Sequence, residues 1–191
     1  NAGDLVVSGT LSTDITLGST TINSNGGDSD AWAGSMTPTG TWKWGVGIGG
    51  SSYDVGSDIA VDAATDNAIM AMGSSSNINN NWGSFSPRGY NDSLLVVIDS
   101  TGSPMSMMDA GSTSDDWADS IAVGPDGDVL VSGNYDGTID FGNSGATQQM
   151  SGGAMNPYLW SISGLTASDV DGDGIPDEDD NCIDVYNSDQ K

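Results

Sequence analysis

An internal period of about 62 residues constrains this chain more than any other feature. Three short apolar runs end in glycine: Leu5-Val6-Val7-Ser8-Gly9, Ile69-Met70-Ala71-Met72-Gly73 and Val129-Leu130-Val131-Ser132-Gly133, with glycines 64 and 60 residues apart. Ile59-Ala60-Val61-Asp62 and Ile121-Ala122-Val123-Gly124 stand 62 apart, as do the turn markers Thr39-Gly40 and Thr101-Gly102. Gly9 to Gly18 and Gly133 to Gly142 both span nine residues, each closed by a β-branched segment, Ile15-Thr16-Leu17 or Ile139-Asp140-Phe141. Several markers holding one offset imply one structural unit used three times.

Each unit reads as short strands, because its apolar or β-branched runs are four to six residues long and bounded by Gly, Asp, Asn and Ser. Leu94-Leu95-Val96-Val97-Ile98 is continuous and suits a strand buried on both faces. Asp126-Gly127 before Val129 is a hairpin turn. No stretch keeps a helical period. The expected fold is all-β, with antiparallel four-stranded units of propeller-blade size. Trp42 and Trp44 stand at i and i+2 on one presumed strand, so both are expected on one face, either packed or open as a sugar-stacking platform. Met105, Met107 and Met108 are expected to fill core gaps.

The residues Asp115 through Val123 and on to Gly142 resemble the SBBP β-propeller repeats of secreted bacterial and archaeal proteins. The pattern is Ile-Ala-Val, an Asp-Gly turn, Val-Ser-Gly and Ile-Asp-Phe-Gly. The resemblance covers residues 1–164, in approximate units 1–57, 58–119 and 120–164, and the first copy lacks its opening strand. It implies an incomplete ring, since propellers close with four to eight blades. Either more blades belong to the same protein or copies assemble, two three-blade arcs being the simplest closed solution.

After a linker at 165–168, residues 169–180 read Asp-Val-Asp-Gly-Asp-Gly-Ile-Pro-Asp-Glu-Asp-Asp. Oxygen-bearing side chains fall at positions 1, 3, 5, 9 and 12 of a calcium loop, with Gly174 at the sharp turn of position 6. Asp169, Asp171 and Asp173 are the expected direct ligands, Ile175 gives its carbonyl, and Asp177 binds directly or through water. Asp180 replaces the usual Glu, a shorter reach for closing the site. Ca²⁺ is the expected ion, because Mg²⁺ demands a tighter octahedron. Residues 169–191 resemble a partial thrombospondin type 3 repeat. That family pairs its cysteines, which implies a partner for Cys182 beyond this sequence.

Composition narrows the function classes. The 191 residues carry 27 acidic side chains, all Asp except Glu178, against Lys43, Arg88 and Lys191, a net charge of -24. Such a surface repels phosphate backbones, so no nucleic-acid partner is expected, and no apolar run approaches the length that crosses a bilayer. The chain has no histidine, which removes Ser-His-Asp chemistry and most zinc sites. The expected function is that of a noncatalytic, extracellular, calcium-binding surface or adhesion module, with a glycan or a protein surface as ligand. The alternatives are a propeller-type lyase or hydrolase, for which Asp115 and Asp116 are the adjacent carboxylates to consider, and a self-assembling ring or filament subunit.

Overall fold

The computed structural model describes residues 3–142, 147–149, 155–163 and 165. The candidate ligands Asp169 to Asp180 lie outside them. The described chain is all-β, with sixteen strands. Three antiparallel sheets carry the architecture. The first joins β1 (Leu5–Leu11), β4 (Asp30–Met36) and β5 (Trp42–Ile48). The middle sheet runs β6 (Asp54–Val61), β7 (Ala68–Ser74), β10 (Asp92–Ile98) and β11 (Pro104–Ala110). The third joins β12 (Trp117–Val123), β13 (Val129–Tyr135) and β16 (Asn156–Ile162). Two-stranded hairpins follow β1, β7 and β13: β2 (Ile15–Leu17) with β3 (Thr20–Ile22), β8 (Ile78–Asn80) with β9 (Gly83–Phe85), and β14 (Thr138–Asp140) with β15 (Thr147–Gln149).

The middle sheet is covered on both faces. Every residue of β7 and β10 is buried, as the continuous run at 94–98 predicts. Side chains alternate across a strand, so the two strands feed two cores. Ile69, Ala71, Leu95 and Val97 join Val129, Val131, Tyr158 and Trp160 of the third sheet. Met70, Met72, Leu94, Val96 and Ile98 join Ala31, Ala33, Trp44 and Ile48 of the first.

Turns and bulges keep the 62-residue offset. Gly40 N donates to Thr37 O at 2.9 Å and Gly102 N to Asp99 O at 3.0 Å. One residue is skipped between Gly56 and Asp58 in β6 and between Ala118 and Ser120 in β12. Residue 127, at φ 78, turns β12 into β13 with glycine's left-handed freedom. The glycine-ended runs align less simply. Pairing places Gly9 opposite Trp32, Met72 opposite Leu94 and Gly133 opposite Tyr158. Counted from the bulges, Gly73 therefore lies one residue past the position of Gly9 and Gly133. Its glycine answers to another neighbour: a Cβ there would come within 2.4 Å of the Trp117 ring.

Trp42 and Trp44 occupy opposite faces, contrary to the expectation from their spacing. The register shifts at this point, with Ser35 opposite Trp44 and Met36 opposite Trp42, and one extra residue reverses the alternation. Trp44 packs into the core shared with the middle sheet, and its Nε1 donates to Ser100 O at 3.1 Å. Trp42 lies on the other face near Trp32, with ring centroids 6.2 Å apart. Met107 and Met108 pack against different cores, while Met105, beside the Val97–Ile98 irregularity, is 52% exposed.

Candidate functional site

Adjacent sheets meet at one edge through a contact made twice. Asp54 N donates to Ser29 O at 2.9 Å, joining the start of β6 to the residue before β4. Asp116 N donates to Asn91 O at 2.7 Å, joining the residue before β12 to the residue before β10. The backbones touch there, so only glycine fits. A Cβ on Gly27 would lie 2.4 Å from Ser52 O, and one on Gly89 would lie 2.2 Å from Ser114 O.

Each contact holds two buried aspartates, Asp30 with Asp54 and Asp92 with Asp116, none more than 1% exposed. Asp54 Oδ2 accepts from Gly50 N at 2.8 Å and Ser76 Oγ at 2.6 Å, and its Oδ1 accepts from Ser74 Oγ at 2.5 Å. Asp116 Oδ2 accepts from Ser112 N at 2.6 Å and its Oδ1 from Asp136 N at 3.3 Å. Asp30 and Asp92 each accept a backbone hydrogen bond on one oxygen, and Asp30 also has the Ser24 hydroxyl beside it. Asn25 N reaches Asp30 Oδ2 at 2.9 Å, and Arg88 N reaches Asp92 Oδ2 at 2.7 Å. Their Oδ1 atoms are buried and have no hydrogen-bond partner among the described residues.

A glycine of the preceding strand or loop leaves the space for each carboxylate. A Cβ on Gly49 would lie 2.3 Å from Asp30 Oδ1 and 2.7 Å from Asp54 Oδ2, so these two oxygens converge on one point. A Cβ on Gly111 would lie 2.4 Å from Asp92 Oδ2. Gly27, Asp30, Gly49 and Asp54 thus correspond to Gly89, Asp92, Gly111 and Asp116, all at the offset of 62.

Burial sets the electrostatics. It pushes the Asp92 carboxyl up to about 6, opposed by the Arg88 N–H and reinforced by the charge of Asp116. It raises Asp30, against the Asn25 N–H and together with the charge of Asp54. It also raises Asp116, against the bonds from Ser112 and Asp136. Asp58 behaves oppositely. Burial pulls it up, but donors from Ile121 N at 3.0 Å, Ser120 Oγ at 2.9 Å and Ile59 N outweigh that and hold it low. The bonds from Ser120 and Ile121 link the middle sheet to β12.

The two corners also differ in charge. Arg88 Nη1 bonds Asp109 and lies 3.7 Å from Asp92 Oδ2, and Arg88 Nε lies 4.0 Å from Asp140 Oδ2. The residue 62 positions earlier is Gly26, where an added Cβ would meet nothing within 4 Å.

Asp115 and Asp116 do not form an open carboxylate pair. Asp116 is fully buried in its corner, while Asp115 Oδ1 accepts from Asn91 Nδ2 at 2.8 Å. Among the described residues, no three or more His, Cys, Asp or Glu side chains are grouped to hold a metal ion. The corner aspartates escaped the motif reading, although Asp30/Asp92 and Asp54/Asp116 keep the period and were visible in the sequence. Compared with models of known protein families and with curated proteins, the chain shows no match.

Proposed function

We propose that the three sheets are successive blades of a propeller-type surface module, secreted and noncatalytic, followed by a calcium-binding tail. The observation that carries the reading is the doubled corner: four glycine and aspartate positions and one inter-sheet hydrogen bond recur at one offset. A unit reused at constant spacing, each copy packed on the next, is the logic of radial β repeats.

The outer face of the first sheet, on which no further sheet packs among the described residues, supports the same reading. Leu5, Val7, Trp32 and Gly34 hold the register positions that Ala68, Met70, Leu94 and Val96 hold in the middle sheet. There those positions pack on the preceding sheet. Here Leu5 is 53% exposed and Trp32 lies beside Trp42. On the far face of the third sheet Leu130 and Leu159 are 42% and 64% exposed. These exposed leucines on the two outer sheets suit further blades, from the same protein or from a second copy.

The extracellular and binding roles rest on the sequence: the acidic surface, the absence of histidine and the resemblance of residues 169–191 to a thrombospondin type 3 repeat. In this reading the module displays a rigid surface to a glycan or protein ligand, and calcium stiffens the segment that follows. Limited proteolysis tests the calcium dependence. Calcium is expected to protect the peptide bonds between Asp169 and Gln190, and Asp171→Asn with Asp173→Asn to abolish the protection. Cleavage at equal rates with calcium and with chelator contradicts the reading.

A further inference from the structure

The first corner contains the one Asn-Gly step of the sequence, Asn25-Gly26. Both residues are exposed. Gly26 has φ 98 and open space around it, since an added Cβ would meet nothing within 4 Å. The two corners serve their aspartates from different backbone positions. In the second, Arg88 N donates to Asp92 Oδ2 at 2.7 Å. Gly26 is the residue 62 positions earlier, yet Asp30 Oδ2 accepts from Asn25 N instead, at 2.9 Å. The bond has moved by one residue, and among the described residues Gly26 N reaches only the Ser24 hydroxyl, at 3.4 Å. That distance is long for a hydrogen bond. Neighbouring asparagines differ. The N–H after Asn23 is held by Asp14 Oδ1 at 2.9 Å, and Asp92, which follows Asn91, is buried as the first residue of β10.

We propose that Asn25 is a self-modification site, converting to aspartate and isoaspartate in the folded protein and so loosening the joint between the first and middle sheets. Hydroxide takes the Gly26 N–H proton, and the nitrogen attacks Asn25 Cγ. The new Cγ–N bond closes a five-membered imide, the Cγ–Nδ2 bond breaks, and ammonia leaves with a proton from water. Water then opens the imide at either carbonyl. The sum is one water consumed and one ammonia released, with no change of oxidation state. Glycine at the attacking position has no side chain to block the approach. Pro87 and Arg88 hold the equivalent places in the second corner, and Pro87 has no carboxamide to lose. That joint is spared. Either product puts a new carboxylate on the residue whose N–H serves Asp30, where like charges repel. The basic side chains of the described residues bond elsewhere, Lys43 to Asp4 and Arg88 to Asp109. Isoaspartate also routes the main chain through Cγ. It adds an atom between Asn25 N and Gly27, whose own place against Ser52 is so tight that a Cβ would lie 2.4 Å from Ser52 O. The site is independent of the calcium-binding tail.

Incubation of the full folded chain in mildly alkaline buffer, followed by trypsin and mass spectrometry, tests the chemistry. Cleavage after Lys43 isolates residues 1–43, which carry Asn25. The amide-to-acid mass gain is expected at Asn25, with Asn23 intact, and an isoaspartate-specific methyltransferase is expected to label the same fragment. The isolated 1–43 peptide gives the rate of the unrestrained step, and the folded chain should convert at a similar rate. The converted chain, separated by its added charge, then reports on the joint by amide hydrogen exchange. Asp54 N should exchange about tenfold faster than in the parent, the scale of one lost hydrogen bond, while Asp116 N is unchanged. Asn25→Gln, whose longer side chain closes the imide ring poorly, should stay unmodified through the same incubation and keep Asp54 N slow. The proposal is overturned if Asn25 of the folded chain stays intact or lags far behind the free peptide. It is equally overturned if conversion leaves Asp54 N as slow as in the parent or speeds Asp116 N to the same extent.

Discussion

Asp92 should make the fold more stable as the solution is acidified from neutrality. Its carboxyl titrates near 6 in the folded protein, against 3.8 for the free side chain. The folded state therefore binds a proton more readily than the unfolded chain. The stabilisation is fully present below about 3.8 and is lost as pH rises through about 6. A difference of about two pH units corresponds to about 3 kcal/mol, each unit being about 1.4 kcal/mol. Other carboxylates titrate in the same window, so the effect must be isolated by difference. Asp92→Asn keeps the shape and an acceptor for Arg88 N but carries no proton equilibrium. Urea unfolding of both proteins at intervals from pH 7 to pH 4 gives the comparison. The parent should gain up to about 3 kcal/mol over the variant across that range. Curves that stay parallel within error would refute the placement of Asp92 as a buried, strongly raised carboxyl.

Three further substitutions probe the packing. Gly89→Ala should cost about 2 kcal/mol or more in unfolding free energy, because its Cβ would sit 2.2 Å from Ser114 O and backbone must shift; chemical denaturation measures it, and a neutral result contradicts the close approach. Leu95→Ala, fully buried between the middle and third sheets, should cost about 2–5 kcal/mol, read by the same unfolding curves. Tyr158→Phe removes the 2.8 Å bond from Tyr158 Oη to Ser93 Oγ and leaves a buried hydroxyl unserved, an expected loss of about 1–2 kcal/mol; thermal melts would show no change if that contact is absent.

Much of the architecture was legible because it depends on local pattern. The run Leu94 to Ile98 announced a strand covered on both faces, and Asp126-Gly127 announced its hairpin, since alternation and turn chemistry act over a few residues. The face of Trp42 was not legible. One unpaired residue in the β4–β5 ladder reverses every side chain beyond it, and nothing in Trp42-Lys43-Trp44 marks that residue as extra. The glycines misled in a related way. By its neighbours in sequence Gly73 matches Gly9 and Gly133, whereas its lack of a side chain answers to the Trp117 ring across the sheet interface. The corner aspartates were visible as a spacing but not as a site. Burial arises only when two sheets meet, and isolated Asp residues near turns usually cap loops in solvent. The segment 169–180 is the reverse case, a spacing that resembles a calcium loop in sequence and lies outside the described residues.

Amide hydrogen exchange at Asp54 and Asp116 puts the inter-sheet contact to its most direct trial. If the start of each new sheet is bound to the sheet before it, these two N–H groups, held by Ser29 O and Asn91 O, should be protected to similar degrees and as slowly exchanging as amides of β7 and β10. Exchange of either at the rate of an open loop would show that the sheets are not joined there.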